Sequence, residues 1–153
     1  MEPKPKGPIH NIHKYFLLQI GKAHVVKKSG NDQILVIGGG VTLHESISAA
    51  TELAKSGVGV RVLDLFTVKP LDKEAIIKNA KECGGRILVV EEHYYEGGIG
   101  EAVTAAVSEE RDIIVKHIAV PRVPRSGTPT ALLDYYGLNS KHIVNYVQDT
   151  LKL

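Results

Sequence analysis

Four short runs of β-branched and aliphatic residues recur along this chain at intervals of about 25–28 residues, which is the spacing of strand–helix–strand units. The runs lie at residues 34–37, 58–65, 86–91 and 113–120, and an amphipathic segment follows each of the first three. Strands that are apolar almost throughout are typical of a parallel sheet covered on both faces. The pattern predicts an α/β fold, a three-layer sandwich whose sheet has about five strands, mostly parallel, with helices on both faces. Residues 22–27 are expected to add an edge strand.

Capping residues predict where the helices begin. Thr42 and Glu45 form a capping-box pattern, whereas Asp72 and Thr128 stand before two later helices, and proline follows Thr128. Apolar periodicity then predicts the buried faces of the helices. The expected buried residues are Leu43, Ile47, Ala50 and Ala54 in the first helix, and Ile143, Tyr146, Val147, Thr150 and Leu151 in the last.

The composition favours one folded domain. The chain has 153 residues, 43% of them hydrophobic, and a formal net charge of only +2, which excludes intrinsic disorder as the main state. Its longest apolar stretch, residues 34–43, is far shorter than the ~20 residues that a membrane helix needs. Cys83 is the only cysteine, so no internal disulfide forms, and its place on a helix stripe predicts a core residue. We therefore expect a cytoplasmic protein that does not bind a membrane.

The charge is distributed unevenly. Residues 1–30 carry six lysines and one acid, whereas the rest of the chain is mildly acidic. A basic tail on an acidic body does not predict nucleic-acid binding, which needs a basic stripe on the folded surface. Residues 1–19 are therefore assigned to a linker or tail, and residues 20–153 to the folded domain.

Loops that follow parallel strands are where such folds place their functional residues. Here they are residues 38–42, 65–70, 92–100 and 121–128. The first resembles a dinucleotide-binding turn, but Leu43 stands where the third glycine of that fingerprint is required. The alternatives are a tight strand-to-helix turn or an anion site. The anion-binding candidates are Gly39, Gly40, Arg122 and Arg125.

The stretch Glu91-Glu92-His93-Tyr94-Tyr95-Glu96 permits three interpretations. Acids beside a histidine suit proton transfer or a metal, although neighbouring residues on a strand point to opposite faces. A plain structural loop is the second. Two tyrosines before a Gly-Gly turn favour the third, an interface. The interface candidates are His93, Tyr94, Tyr95, Glu96, Gly97 and Gly98.

Four longer motifs carry a family resemblance. They are Ile37-Gly-Gly-Gly-Val-Thr-Leu-His-Glu45, Val60-Arg-Val-Leu-Asp-Leu-Phe-Thr-Val-Lys-Pro-Leu-Asp72, Glu92-His-Tyr-Tyr-Glu-Gly-Gly-Ile-Gly-Glu-Ala-Val103 and Val123-Pro-Arg-Ser-Gly127. In order and spacing they closely resemble the C-terminal domain of animal-type transketolases, and the likeness covers about residues 20–151.

The resemblance implies a parent transferase of three domains in the pentose phosphate pathway. It would move a two-carbon ketol unit between sugar phosphates with thiamine diphosphate and a divalent cation, Mg²⁺ or Ca²⁺, and work as a homodimer. The family's cofactor signature, Gly-Asp-Gly followed by paired asparagines, does not occur in this sequence. The resemblance therefore implies no catalytic, cofactor-binding or metal-binding residue in this chain, which we expect to be inactive alone, to bind the other transketolase domains and to serve assembly.

Overall fold

The computed structural model of the protein describes residues 19–152, which fold as a five-stranded sheet with five helices in that part of the chain. The strands are β1 (His24–Lys27), β2 (Asp32–Gly38), β3 (Gly59–Asp64), β4 (Arg86–Val90) and β5 (Ile114–Ile118). The helices are α1 (Val41–Lys55), α2 (Lys73–Glu82), α3 (Ile99–Ala106), α4 (Pro129–Tyr135) and α5 (Ser140–Leu151).

The strand order is β1-β3-β2-β4-β5, and every pairing is parallel except that of β1 with β3. β1 is the predicted additional edge strand. In the antiparallel pairing His24, its first residue, lies opposite Asp64, the last residue of β3. The chain therefore enters the sheet at the edge where the other four strands end, which we call the carboxyl edge.

Two separate cores lie on the two faces of the sheet, because side chains alternate between the faces along each strand. Ile34 and Val36 of β2 pack with the apolar faces of α1 and α5. Leu35 and Ile37 pack on the other face with residues of α2 and α3, Cys83 among the buried neighbours. All four side chains from β2 are fully buried. The predicted three-layer sandwich is confirmed.

Two of the three predicted helix caps are confirmed. Asp72 accepts a hydrogen bond from the Ala75 amide at 3.2 Å, and Thr128 accepts one from the Ala131 amide at 3.4 Å. Both geometries match a side-chain oxygen bonding an otherwise unpaired amide of the first helical turn.

The capping box at Thr42 and Glu45 was a wrong prediction. Helix α1 begins two residues earlier than predicted, at Val41, and Gly40 with φ +58° stands in the cap position without a side-chain hydrogen bond. Thr42 is fully buried, and its hydroxyl donates to the Val90 carbonyl at 2.7 Å. Glu45 instead accepts a hydrogen bond from the Ser140 amide at 2.7 Å, at the start of α5. Thr42 and Glu45 thus each form a long-range hydrogen bond, and the predicted capping box between them does not form.

Each of two predicted buried helix faces contains one residue that is exposed in the structure. In α1 the buried track runs through Leu43, Ala50 and Leu53, while Ala54 is exposed. Burial of Leu53 in place of Ala54 removes more apolar surface from water. In α5 Ile143 and Val147 are buried as expected, but Tyr146 is 43% exposed. The tyrosine hydroxyl favours a position where water reaches it.

The predicted tail, residues 1–19, lies outside the described residues apart from Gln19. Within residues 19–152 no helix is long and apolar enough to cross a membrane.

Candidate functional site

Four loops meet at the carboxyl edge because β2 to β5 run in the same direction. Residues 38–42 follow β2, residues 65–70 follow β3, residues 92–100 follow β4, and residues 121–128 follow β5. Helices α1 and α3 also begin here, so their N-terminal amides point toward this edge. The topology therefore brings every sequence-predicted site residue to one end of the molecule.

Glu91 is the buried polar residue at the centre of this edge. It follows β4 directly and is only 3% exposed. Its carboxylate accepts hydrogen bonds from the Ile99 amide at 2.6 Å and the Gly100 amide at 2.8 Å, at the start of α3. Nε2 of His117 lies 2.6 Å from the Glu91 carboxylate. Because an ionised carboxylate only accepts hydrogen bonds, Nε2 of His117 is the donor.

This arrangement accounts for the two glycines that flank Ile99. A Cβ atom on Gly98 would collide with the Glu91 carboxylate, and one on Gly100 would collide with the His117 ring. Glycines before a helix in such folds often make room for a bound phosphate. Here the carboxylate of Glu91 lies at the N-terminus of α3 and binds the amides that a phosphate would otherwise bind.

Sequence reasoning missed the partner of Glu91. The histidine next to it in sequence, His93, is exposed, and its Nδ1 lies 3.1 Å from the Tyr94 carbonyl oxygen. The histidine that Glu91 binds comes from β5, one strand away. The pairing of β4 with β5 is the signal that could have identified this partner. Val90 lies beside Ile118, and Glu91 and His117 each stand one residue from that pair, so both face the same side of the sheet.

Residues 93–98, which we call the docking loop, are mostly exposed. Tyr94 and Tyr95 are each 42% exposed. The Tyr95 ring lies edge-on to His117, with a centroid distance of 4.9 Å. Glu101, from the first turn of α3, accepts a hydrogen bond from the Gly97 amide. The docking loop is thus held by contacts to β5 and α3 while presenting two tyrosines to the surface.

The interpretation of residues 91–96 as an acid–base or metal centre has no geometric support in the described residues. Glu91 points inward to α3 and His117, whereas Glu92 and His93 are exposed. Among residues 19–152 no group of three histidine, cysteine, aspartate or glutamate side chains is placed to hold a metal ion.

Gly39 and Gly40 form a tight turn between β2 and α1. The Gly39 amide donates to the Thr42 hydroxyl at 3.3 Å. Gly38, just before them, lets the backbone of α1 come close, because a Cβ atom there would lie 3.0 Å from the Leu43 amide nitrogen. The turn is therefore explained by close helix–strand packing.

Arg122 and Arg125 lie together in the loop after β5, at the carboxyl edge. Their guanidinium carbons are 5.3 and 4.6 Å from the centroid of the same ring, that of Tyr135. Such distances are those of cation–π contacts. Neither arginine forms an ion pair with a carboxylate in the described part of the chain.

A second polar cluster, at the other end of the sheet, was not predicted. Arg61 donates to Asp32 at 3.0 Å, to Asn79 at 2.8 Å and to Glu82. Burial acts to lower the pKa of Arg61, but the hydrogen bonds to Glu82 and Asp32 outweigh it, so the pKa is raised. The same bond from Arg61 lowers the pKa of Glu82. Nearby, burial raises the pKa of Cys83 to about 11, which makes its thiol a poor nucleophile.

The fold and the carboxyl edge define a class of protein, an α/β domain with a mostly parallel sheet between two layers of helices. Its glycine-containing turns allow close packing and bind the buried carboxylate of Glu91. The sequence model of the family described as "Transketolase, C-terminal domain" matches residues 21–143. The chain belongs to this transketolase C-terminal domain family.

Curated relatives agree. The chain is 58% identical to transketolase-like protein 1 of Bos taurus over 133 residues, which is 87% of this chain and 22% of that protein. It is 53% identical to transketolase of Homo sapiens over 140 residues, 92% of this chain and 22% of that protein. The chain thus spans about a fifth of the length of the curated relatives it matches.

A solved structure supports the same fold. A split-gene transketolase, described as an inactive β4 tetramer, superposes with a TM-score of 0.82 at 32% identity. The match covers 99% of this chain and 47% of that one. The predicted α/β architecture is therefore also that of a solved relative.

Proposed function

We propose that this chain is the C-terminal part of a thiamine-diphosphate-dependent transketolase that transfers ketol units between sugar phosphates in the cytoplasmic pentose phosphate pathway. Its own contribution is assembly: it binds the remaining transketolase domains within a homodimer. Support comes from the 53% identity to human transketolase and from the chain's covering only 22% of that enzyme's length. The similar β4 tetramer is a transketolase part that assembles with copies of itself.

One observation carries the assembly role. Among residues 19–152, seven of the ten exposed large apolar or tyrosine side chains lie in the four loops of the carboxyl edge or in the chain entry beside the 65–70 loop. They form the carboxyl-edge surface: Ile20, Val41, Phe66, Val68, Tyr94, Tyr95 and Val123. Exposed aromatic and aliphatic side chains concentrated on one face are typical of an interface.

The point of chain entry supports the same surface. Gly21 lies against Pro70, and its amide donates to the Thr67 hydroxyl at 2.8 Å, within the loop after β3. The described part of the chain therefore begins beside the loop that carries Phe66 and Val68. A preceding domain arrives next to the surface that we propose it covers.

The side chains of residues 19–152 do not form a site that fits the cofactor and its cation. A divalent cation such as Mg²⁺ or Ca²⁺ would need several oxygen ligands. No three acid, histidine or cysteine side chains are grouped for a metal among the described residues. The buried carboxylate of the carboxyl edge, Glu91, already accepts three hydrogen bonds. We therefore assign thiamine diphosphate and its cation to the domains that the relatives have beyond this segment.

Activity of the chain alone tests this assignment. The purified chain, supplied with xylulose 5-phosphate, ribose 5-phosphate, thiamine diphosphate and Mg²⁺, should give no ketol transfer, while human transketolase under the same conditions should turn over. Transfer by the chain alone that persists through repeated purification would overturn the proposal.

Binding to the missing domains tests the assembly role. The partner is human transketolase from which the matching 140-residue segment has been removed. In sedimentation velocity the chain should form a complex with this partner. Replacing Tyr94 and Tyr95 by serine should weaken the complex, because two aromatic contacts are lost from the carboxyl-edge surface.

Tyr146→Ser is the matched control, since Tyr146 is equally exposed at 43% but lies on α5. It should leave the complex unchanged. Equal loss in both variants would argue against the docking loop, and no complex with the unmodified chain would argue against assembly as the function.

A further inference from the structure

A pocket of about 320 Å³ lies beside the docking loop, between the start of α1 and the short helix α4. Its walls are mainly apolar, with Val41 and Val120 on the sheet side and Leu132 and Leu138 on the helix side. Pockets of this volume that are largely apolar and carry a few polar groups are typical of small-molecule sites.

The frame of the pocket is held in place by hydrogen bonding and ring packing. The Tyr136 hydroxyl accepts a hydrogen bond from the Arg125 amide at 2.9 Å, which ties the 121–128 loop to the end of α4. The Tyr136 ring packs edge-on against Tyr135 at a centroid distance of 4.9 Å. Both Tyr136 and Arg125 line the pocket. These two contacts set the positions of the Tyr136 ring and of the Arg125 backbone at the pocket.

The charges around the pocket form no ion pairs among residues 19–152. Arg125 lines the pocket, and Arg122 lies beside it over the same Tyr135 ring. Glu92 also lines the pocket, and it forms no ion pair with either arginine. A guanidinium held on an aromatic ring remains able to bind a carboxylate.

We propose that this pocket binds a small monocarboxylate with a short apolar body. The apolar body would contact Val41, Val120 and Leu132, and the carboxylate would pair with Arg125, with Arg122 adding positive potential. Glu92 restricts the ligand to one negative charge, because the Glu92 carboxylate would repel a second carboxylate on the ligand. The inference stands on the pocket of the chain by itself; because Val41 also belongs to the carboxyl-edge surface, the other transketolase domains would compete with this ligand when they assemble.

An NMR titration of the full 153-residue chain tests the proposal with three probes that share one phenyl group. They are 3-phenylpropionate, the neutral 3-phenylpropanol, and benzylmalonate, which is phenylpropionate with a second carboxylate. Amide shifts of residues around the pocket should change with 3-phenylpropionate and saturate. The other two probes should bind more weakly, the alcohol because it lacks the charge and the malonate because of Glu92.

Two variants separate this site from unspecific binding. Arg125→Gln should weaken 3-phenylpropionate binding by on the order of tenfold, since a charged hydrogen-bond pair is lost. Arg111→Gln, which changes an exposed arginine in the turn before β5 at the far end of the sheet, should leave it unchanged. No saturable shift, equal binding of the alcohol or the malonate, or equal effects of the two variants would each overturn the proposal.

Discussion

At the scale of single residues, Glu91 shows how one buried carboxylate can organise a loop. It accepts hydrogen bonds from two amides of α3 and from His117, and His117 in turn supports Tyr95. A buried carboxylate is costly unless its oxygens are bonded, and three donors meet that requirement here. The position of Tyr95 in the docking loop therefore depends on the buried Glu91 through His117.

We expect Glu91→Gln to lower the free energy of unfolding by about 1–3 kcal/mol. The amide has one acceptor oxygen in place of two, and its NH₂ group would face a donor. Urea denaturation measures the change, with Glu92→Gln as control, because Glu92 is the exposed neighbour. Equal stabilities of the two variants would contradict the role assigned to Glu91.

We expect Cys83 to resist thiol reagents in the folded protein. Its side chain is fully buried, and burial raises its pKa to about 11, so at pH 8 only about one thiol in a thousand is ionised. Reaction with a chromogenic disulfide should be slow in buffer and fast in urea. Complete labelling of the native chain within seconds would show that the thiol is accessible.

At the scale of elements, helix ends are joined to residues far away in sequence. Glu45 of α1 bonds the first amide of α5, and Asp72 bonds both the start of α2 and the Ala23 amide at the entry to β1. Such bonds satisfy helix amides and fix the position of one element on another. The start of α3 follows the same rule, with Glu91 supplying the acceptor from β4.

We expect Gly100→Ala to destabilise the protein by about 1–3 kcal/mol, the usual cost of overpacking a tight contact. The added methyl group would collide with the His117 ring and outweigh the ~1 kcal/mol that alanine gains over glycine in a helix. Gly30→Ala is the control, since a Cβ atom there meets nothing within 4 Å. Thermal denaturation that ranks Gly30→Ala as the more damaging change would contradict this packing.

At the scale of the whole molecule, stability is concentrated in the middle of the sheet and falls toward the carboxyl edge. Strand β2 has neighbours on both sides and supplies residues to both cores. Helix α4 contains no buried residue, and residues 121–131 before and within it are all exposed. The least protected segment is therefore the one that frames the proposed pocket.

Hydrogen exchange should follow this gradient. Amides of β2 and β4 should exchange most slowly, at rates set by global unfolding, and amides of α4 should exchange fastest among the helices, through local opening. Mass spectrometry of deuterated peptides measures both. Protection of α4 equal to that of β2 would contradict this gradient of stability.

The amino-acid sequence determined the architecture because its information is local. Runs of β-branched residues, caps such as Asp72, and the glycines and prolines between them suffice to place strands and helices in order, and the four longer motifs suffice to indicate the family. The exposed tyrosines of the docking loop also followed from sequence, since they stand in a loop before a Gly-Gly turn.

Only the tertiary structure decided which distant groups meet. The pairing of Glu91 with His117, of Glu45 with Ser140, and of two arginines with Tyr135 joins residues on different elements. Side-chain hydrogen bonds and ring contacts act over a few ångströms, and those distances are set by how the layers pack. Sequence adjacency therefore predicted the wrong partner for Glu45 and did not reveal His117 as the partner of Glu91, because a carboxylate binds the nearest donor in space.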